Sequence, residues 1–231
     1  MTDESSPEER ALFTAQAETE RHKAREAEMR ALTASLQFER AREEHLWQRA
    51  TNPFHRVYVF DDPVTEATVG ACSGQLDIWE RIMPGQDITL RLYSPGGDLL
   101  AGMYLFDRLR ALRSAGHKVT VEAFGYAASM AGILLQAGDV RRIGREAYVL
   151  IHEVAFGARG KIGEIEDEVE FVRKIQDRVL DIFAENAKRA GEAGTATAPL
   201  TRREFKRRWL RKDWWLSSEE ALRFGIVDEV I

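Results

Sequence analysis

The chain has 231 residues, of which 44% are hydrophobic and 31% charged, with a formal net charge of -5. That length and composition suit one substantial folded core with appendages, and the acidic balance argues against a general nucleic-acid binder. A single cysteine, Cys72, excludes an internal disulfide framework and fits a reducing compartment, and no apolar run approaches the roughly 20 residues that span a bilayer. The acidic opening segment lacks the basic and apolar regions of a signal peptide, so a cytoplasmic location is expected, with neither membrane nor nucleic acid as a partner.

In chain order, residues 7–48 are predicted as one helix rich in Ala, Glu and Arg, with Ser6-Pro7-Glu8-Glu9 supplying a cap, a first-turn proline and a capping-box acid. Met29, Leu32 and Leu36 form a narrow apolar stripe on it, suited to a partner helix or to a solvated arm. Asn52-Pro53 ends this pattern and separates a charged helical arm, residues 1–50, from a folded domain, residues 51–231. Strand and helix then alternate: strand 55–60, helix 65–83, strand 88–93, helix 99–114, strand 118–124, helix 127–137 and strand 148–152. Repeated units of this kind predict an α/β fold with a parallel-rich sheet covered by helices. Cys72 falls in the first of those helices, where packing is its expected role.

A glycine-containing segment, 156–160, leads into a long helix over 163–190 whose first turns are acidic. Residues 191–199 are small and turn-prone. Thr201-Arg202-Arg203-Glu204 is a capping box opening a short basic helix with Phe205 and Trp209 on one face. Its basic run suggests either a nucleic-acid contact or, better suited to those aromatics, a packed helix that pairs with the acidic start of the long helix on another subunit. A last helix capped at Ser217 or Ser218 and a closing strand at 226–231 complete the chain.

Ser129 lies among small residues at a strand-to-helix corner, Gly125-Tyr126-Ala127-Ala128-Ser129-Met130, and His152 ends an apolar strand. A serine hydroxyl is a poor nucleophile until a base takes its proton, and histidine titrates in the right range. A tetrahedral oxyanion needs amide donors, and the amides of Gly97, in the corner Ser94-Pro95-Gly96-Gly97, and of Met130 are candidates. Spacing alone selects no carboxylate to orient the imidazole.

Four ordered blocks, 94–103, 125–130, 151–152 and 213–228, resemble the family of Clp protease proteolytic subunits, serine peptidases of crotonase-like fold. The resemblance covers residues 55–231 and implies repeated ββα/βαβ units with a protruding handle at about 156–190, to which the helical arm is an addition. It further implies Ser129 as nucleophile, His152 as base and then acid, and Asp213 as the orienting carboxylate. Gly97 and Met130 match the oxyanion donors, and substrate would lie as an added strand beside Gly96, Leu99 and Ala155. Implied partners are polypeptide substrate, further copies of the chain in a ring or double ring, and an AAA+ unfoldase. No cofactor or metal is expected in the chain itself, with ATP entering only through such an unfoldase. The chain departs from the family pattern at Glu153-Val154, where glutamine and proline are usual, at Arg211-Lys212, and in its long N-terminal helix.

The leading expectation is therefore a serine endopeptidase acting through an acyl-enzyme inside an oligomer. The replaced N-terminus raises a virus-type head-maturation protease, acting on scaffold or capsid protein, as the alternative. A catalytically silent ring subunit and an acyl-CoA hydratase or isomerase, which shares the fold, are the remaining readings.

Overall fold

The computed structural model describes residues 7–231. The chain divides into two compact units, one ending at Phe54 and one spanning His55–Ile231, each described by itself. The first is a single helix, α1 (Pro7–Arg49), built from strong helix formers and carrying an i,i+4 ion pair between Glu26 and Arg30. Met29, Leu32 and Leu36 stand exposed on it. The cap expected at Ser6 lies outside the described residues.

The second unit runs β1 (Val57–Phe60), α2 (Glu66–Ile82), β2 (Ile88–Ser94), α3 (Leu99–Ser114), β3 (Val119–Ala128), α4 (Met130–Leu135), β4 (Val140–Ile143) and β5 (Tyr148–Ile151). It continues α5 (Ile162–Glu192), α6 (Arg202–Trp209), β6 (Trp214–Ser217), α7 (Ser218–Phe224) and β7 (Glu229–Val230). The seven strands form one sheet with a spine β1-β2-β3-β4-β7, all parallel. Alternate residues Ile88, Leu90 and Leu92 on β2 and Val119, Val121 and Ala123 on β3 are fully buried and form the centre of the core. This is the expected α/β architecture, and no helix among the described residues is long and apolar enough to cross a membrane. Cys72 is buried in α2, where desolvation pushes its thiol up to about 12 and keeps it neutral.

The site-forming part of the sheet differs from the sequence expectation. β3 does not stop at Phe124 but bends at Gly125 (φ +64) and runs on to Ala128, so α4 starts at Met130 rather than Ala127. The extension has a pairing reason. The first half of β3 pairs with β4, whereas Tyr126, Ala127 and Ala128 pair in parallel with Tyr148, Val149 and Leu150 of β5. Trp214–Ser217, which carried no strand expectation, pairs antiparallel with β5 as β6. The closing strand shrinks to β7.

Two polar devices fix the helices. Thr201 caps α6 through the expected capping box with Glu204, and Ser217, one of the two serines expected to cap α7, does so through a capping box with Glu220. Phe205 and Trp209 bury one face of α6 against Phe183 of α5, with ring centroids 5.7 and 6.4 Å from it. Arg202 meets Asp177 at 2.7 Å and Asp181 at 2.6 Å on the middle of α5 within the same chain. These contacts lie within one chain and away from the acidic first turns of α5.

Arg141 on β4 is fully buried, and its paired arginines, Arg141-Arg142, conceal the apolar alternation of the strand. Its guanidinium holds both oxygens of Asp228, at 2.9 and 2.5 Å, and also donates to Gln136 Oε1 and to the carbonyls of Gly225 and Ile226. Gln136 ends α4, so one cation joins that helix, β4 and the turn after α7. A buried pair is costly to break because the survivor keeps its charge without a partner. Asp228→Ala is therefore expected to lower the unfolding free energy by about 3–5 kcal/mol, read from urea denaturation.

Candidate active site

The corner between β3 and α4 has one unusual backbone residue. Ser129 adopts φ 54 and ψ -120, a region that costs a non-glycine residue energy and persists only where neighbours impose it. The imposing contacts are visible. Ser129 N–H donates to the carbonyl of Leu150 at 2.9 Å, extending the β3–β5 ladder by one step, and the α4 helix begins immediately after. This turn presents a half-buried serine side chain at the end of β5, two residues before His152.

The second wall is the glycine corner between β2 and α3. Val64 N–H donates to Gly96 O at 2.8 Å and Asp98 N–H to Val64 O at 2.7 Å, so the N–H of Gly97 takes no part in that ladder. Asp98 caps α3 by accepting the Ala101 N–H at 2.8 Å. Ser94 Oγ donates to Asp62 O at 2.6 Å and accepts the Gly96 N–H at 3.2 Å, which anchors the corner to the loop after β1. Gly96 has φ +83, and a Cβ there would stand 2.5 Å from Ala128 O and 2.8 Å from Met130 N. Only glycine lets the two corners approach this closely. Met130, as the first residue of α4, has an N–H that the helix itself leaves unpaired.

Between these corners lies a cavity of about 140 Å³ lined by Gly97, Leu99, Ser129, Met130, His152 and Ala155. Six of the eight residues singled out from the sequence thus share one wall, and Gly96 packs directly behind it. The apolar part of the lining was not foreseen. Glu153 and Val154, noted in the sequence, follow the histidine, while Ile133, Ile151, Val179, Phe183 and Trp209 give the cavity an apolar side. Val179 and Phe183 come from α5 and Trp209 from α6, elements whose apolar residues read in the sequence only as core. Trp209 Nε1 is buried with no hydrogen-bond partner among the described residues.

The imidazole of His152 is held in a defined tautomer. Its Nδ1 lies 2.5 Å from the carbonyl oxygen of Glu153, and because a carbonyl only accepts, Nδ1 carries the proton. The neutral ring then keeps its lone pair on Nε2, the arrangement a base needs for taking a proton from a hydroxyl. No hydrogen bond joins Ser129 Oγ to His152 among the described residues.

Asp213 is the outlying member. Its side chain is exposed in a shallow surface depression with Arg207, Arg208, Lys212 and Trp214, and it makes no hydrogen bond to His152. Its backbone stands closer than this suggests. Ile151 is opposite Trp214 in the last pair of the antiparallel β5–β6 ladder, so the two segments leave that ladder as neighbours, one at His152 and the other at Asp213. No group of His, Cys, Asp and Glu suited to holding a metal occurs among the described residues.

The family model for the Clp protease matches residues 42–231. Similar curated proteins are ATP-dependent Clp protease proteolytic subunits. That of Bacteroides fragilis is 28% identical over 180 residues, covering 76% of this chain and 79% of the relative. That of Bacteroides thetaiotaomicron is 28% identical, covering 76% and 74%, and that of Deinococcus radiodurans is 28% identical over 178 residues, covering 76% and 80%. With a match that takes in the whole sheet, the glycine corner, the strained serine and the histidine strand, the chain belongs to the Clp protease family.

Proposed function

We propose that this protein is a serine endopeptidase that hydrolyses peptide bonds through an acyl-enzyme, with Ser129 as nucleophile, His152 as general base and acid, and Asp213 as the carboxylate that orients the imidazole. The observation that carries this reading is the strained Ser129 elbow opening into the same cavity as an imidazole whose lone pair is on Nε2. Family membership and the β5–β6 register support the choice of Asp213.

In the proposed reaction His152 Nε2 takes the Ser129 proton as Oγ bonds to the scissile carbonyl carbon. The negative charge that develops on the carbonyl oxygen is received by the N–H groups of Gly97 and Met130. Collapse of this intermediate breaks the C–N bond, and the imidazolium gives its proton to the leaving amine. Water, deprotonated by the same imidazole, then cleaves the Oγ ester and restores the serine. Leu99 and Ala155 line the cavity where an extended peptide would bind chiefly through its main chain, with an apolar side chain against Ile133, Val179 and Phe183. Action inside a ring of copies is part of the proposal. It is supported by the exposed apolar residues Ile162 and Phe171 on the first turns of α5.

A second reading keeps the chemistry and changes the setting. Most of α1 lies ahead of the family match, which begins at residue 42, and its Met29–Leu32–Leu36 stripe is exposed. A head-maturation protease that uses this arm in assembly would cleave it or a co-expressed capsid protein. An arm left intact after prolonged assembly, with an unfoldase and ATP stimulating casein loss instead, would favour the Clp-type setting.

The decisive test is covalent. A fluorophosphonate probe is expected to add once to the wild-type protein and not to Ser129→Ala, read by intact mass, and an unmodified wild type in its native assembly would favour a silent subunit. Gly96→Ala is expected to disturb the Met130 N–H and lower kcat by roughly 10²-fold or more, as removal of an oxyanion donor does. Peptide hydrolysis and a melting curve on the same sample separate that effect from unfolding.

A further inference from the structure

Glu153 is half-buried in the wall of the Ser129 cavity and follows His152 directly. Its two polar ends reach different segments. The main-chain carbonyl accepts from His152 Nδ1, and the carboxylate Oε2 accepts the backbone N–H of Arg211 at 2.7 Å. Arg211 belongs to the turn between α6 and β6 and has φ 56, another left-handed conformation on a residue with a side chain.

That turn has few other restraints. Leu210 N–H and Lys212 N–H bond back to Lys206 and Trp209 of α6, and the side chains of Arg211, Lys212 and Asp213 are exposed. The Glu153 carboxylate is thus the hydrogen bond that ties the turn across to the end of β5 among the described residues. Two residues further on, Asp213 immediately precedes Trp214, which is paired with Ile151, the residue before His152. A carboxylate is a strong acceptor for an amide N–H, and a left-handed residue needs such a fixed partner to hold its conformation.

We propose that Glu153 is a positioning residue: by accepting the Arg211 N–H it holds the 211–213 turn beside β5, so that the Asp213 carboxylate is kept within reach of His152 Nδ1. The inference rests on the proposed Ser129–His152–Asp213 triad. In that arrangement Asp213 replaces the Glu153 carbonyl as acceptor of the Nδ1 proton, while the Glu153 side chain keeps its own bond.

The test compares wild type with Glu153→Ala, Glu153→Gln and Asp213→Asn on an uncharged fluorogenic peptide, over about pH 5 to 9, where an imidazole titrates. Glu153→Ala is expected to lower kcat by about 10²-fold, the scale of a misplaced catalytic group, and to move the acid limb of the profile to lower pH because the imidazolium loses its carboxylate. KM should change far less than kcat, since the lost bond acts on the placing of a catalytic group rather than on substrate affinity. Glu153→Gln should restore most of kcat, because its amide oxygen accepts the same N–H. Asp213→Asn should cost less in the Glu153→Ala background than alone, as for groups acting as a unit.

A Glu153→Ala enzyme with wild-type kcat and an unmoved acid limb would overturn the proposal, and so would a Gln variant as impaired as Ala. If the Ala variant fails to fold by its melting curve, Glu153→Asp, too short to reach Arg211, takes its place with the same expectations. Full activity of Asp213→Asn would instead overturn the triad and this inference with it, as would absence of Ser129-dependent hydrolysis in the wild type. An inactive Asp213→Asn beside an unaffected Glu153→Ala removes the positioning role alone.

Discussion

The four-residue strand β5 is the element on which the candidate site depends. One edge pairs in parallel with the end of β3 and sets the Ser129 elbow through Leu150; the other pairs antiparallel with β6 and fixes the approach of Asp213. Its last residue leads into His152. Side chains along a strand alternate faces, so a slip of one residue in the pairing with β3 would move the Ser129 corner along β5, and one in the pairing with β6 would move the segment bearing Asp213. Three segments distant in sequence are thereby registered against one short ruler.

That ruler is rigid because both of its ends are anchored in buried structure. Val149 and Ile151 are in the core, and the elbow continues into α4, every residue of which is buried. At the far end of α4, Gln136 joins Arg141, Asp228 and the backbone at Gly225 and Ile226, while Asn186 of α5 donates to Gln136 O. A strained backbone at Ser129 is tolerated only when its surroundings have a single arrangement, and this polar network removes the alternatives.

Much of this was legible in the sequence, for identifiable reasons. The apolar alternation in β2 and the first half of β3, the capping box at Thr201, a serine cap at 217 or 218, and the glycine corners each have a local cause that a short window of residues carries. So Ser129, His152, Gly97 and Met130 could be named together. The second half of β3 was not legible, because Gly125 followed by small residues reads as a turn, and its strand character comes from pairing with β5. β4 was hidden by Arg141 and Arg142, whose charges suggest surface although Arg141 is fully buried against Asp228. The apolar side of the cavity was hidden as well, since Val179, Phe183 and Trp209 reach it only through the packing of α5 on α6. Asp213 came from family resemblance alone, and no local pattern distinguishes it from other acids.

The ion pairs of Arg202 with Asp177 and Asp181 have a mechanical meaning. They clamp α6 to the shaft of α5, and the aromatic packing of Phe183 with Phe205 and Trp209 stiffens the joint. The linkage runs from the exposed tip of α5 down its shaft, across to α6 and into the segment bearing Asp213. A joint of this form braces the segment that bears Asp213 against the shaft of α5, which Asn186 ties in turn to the end of α4.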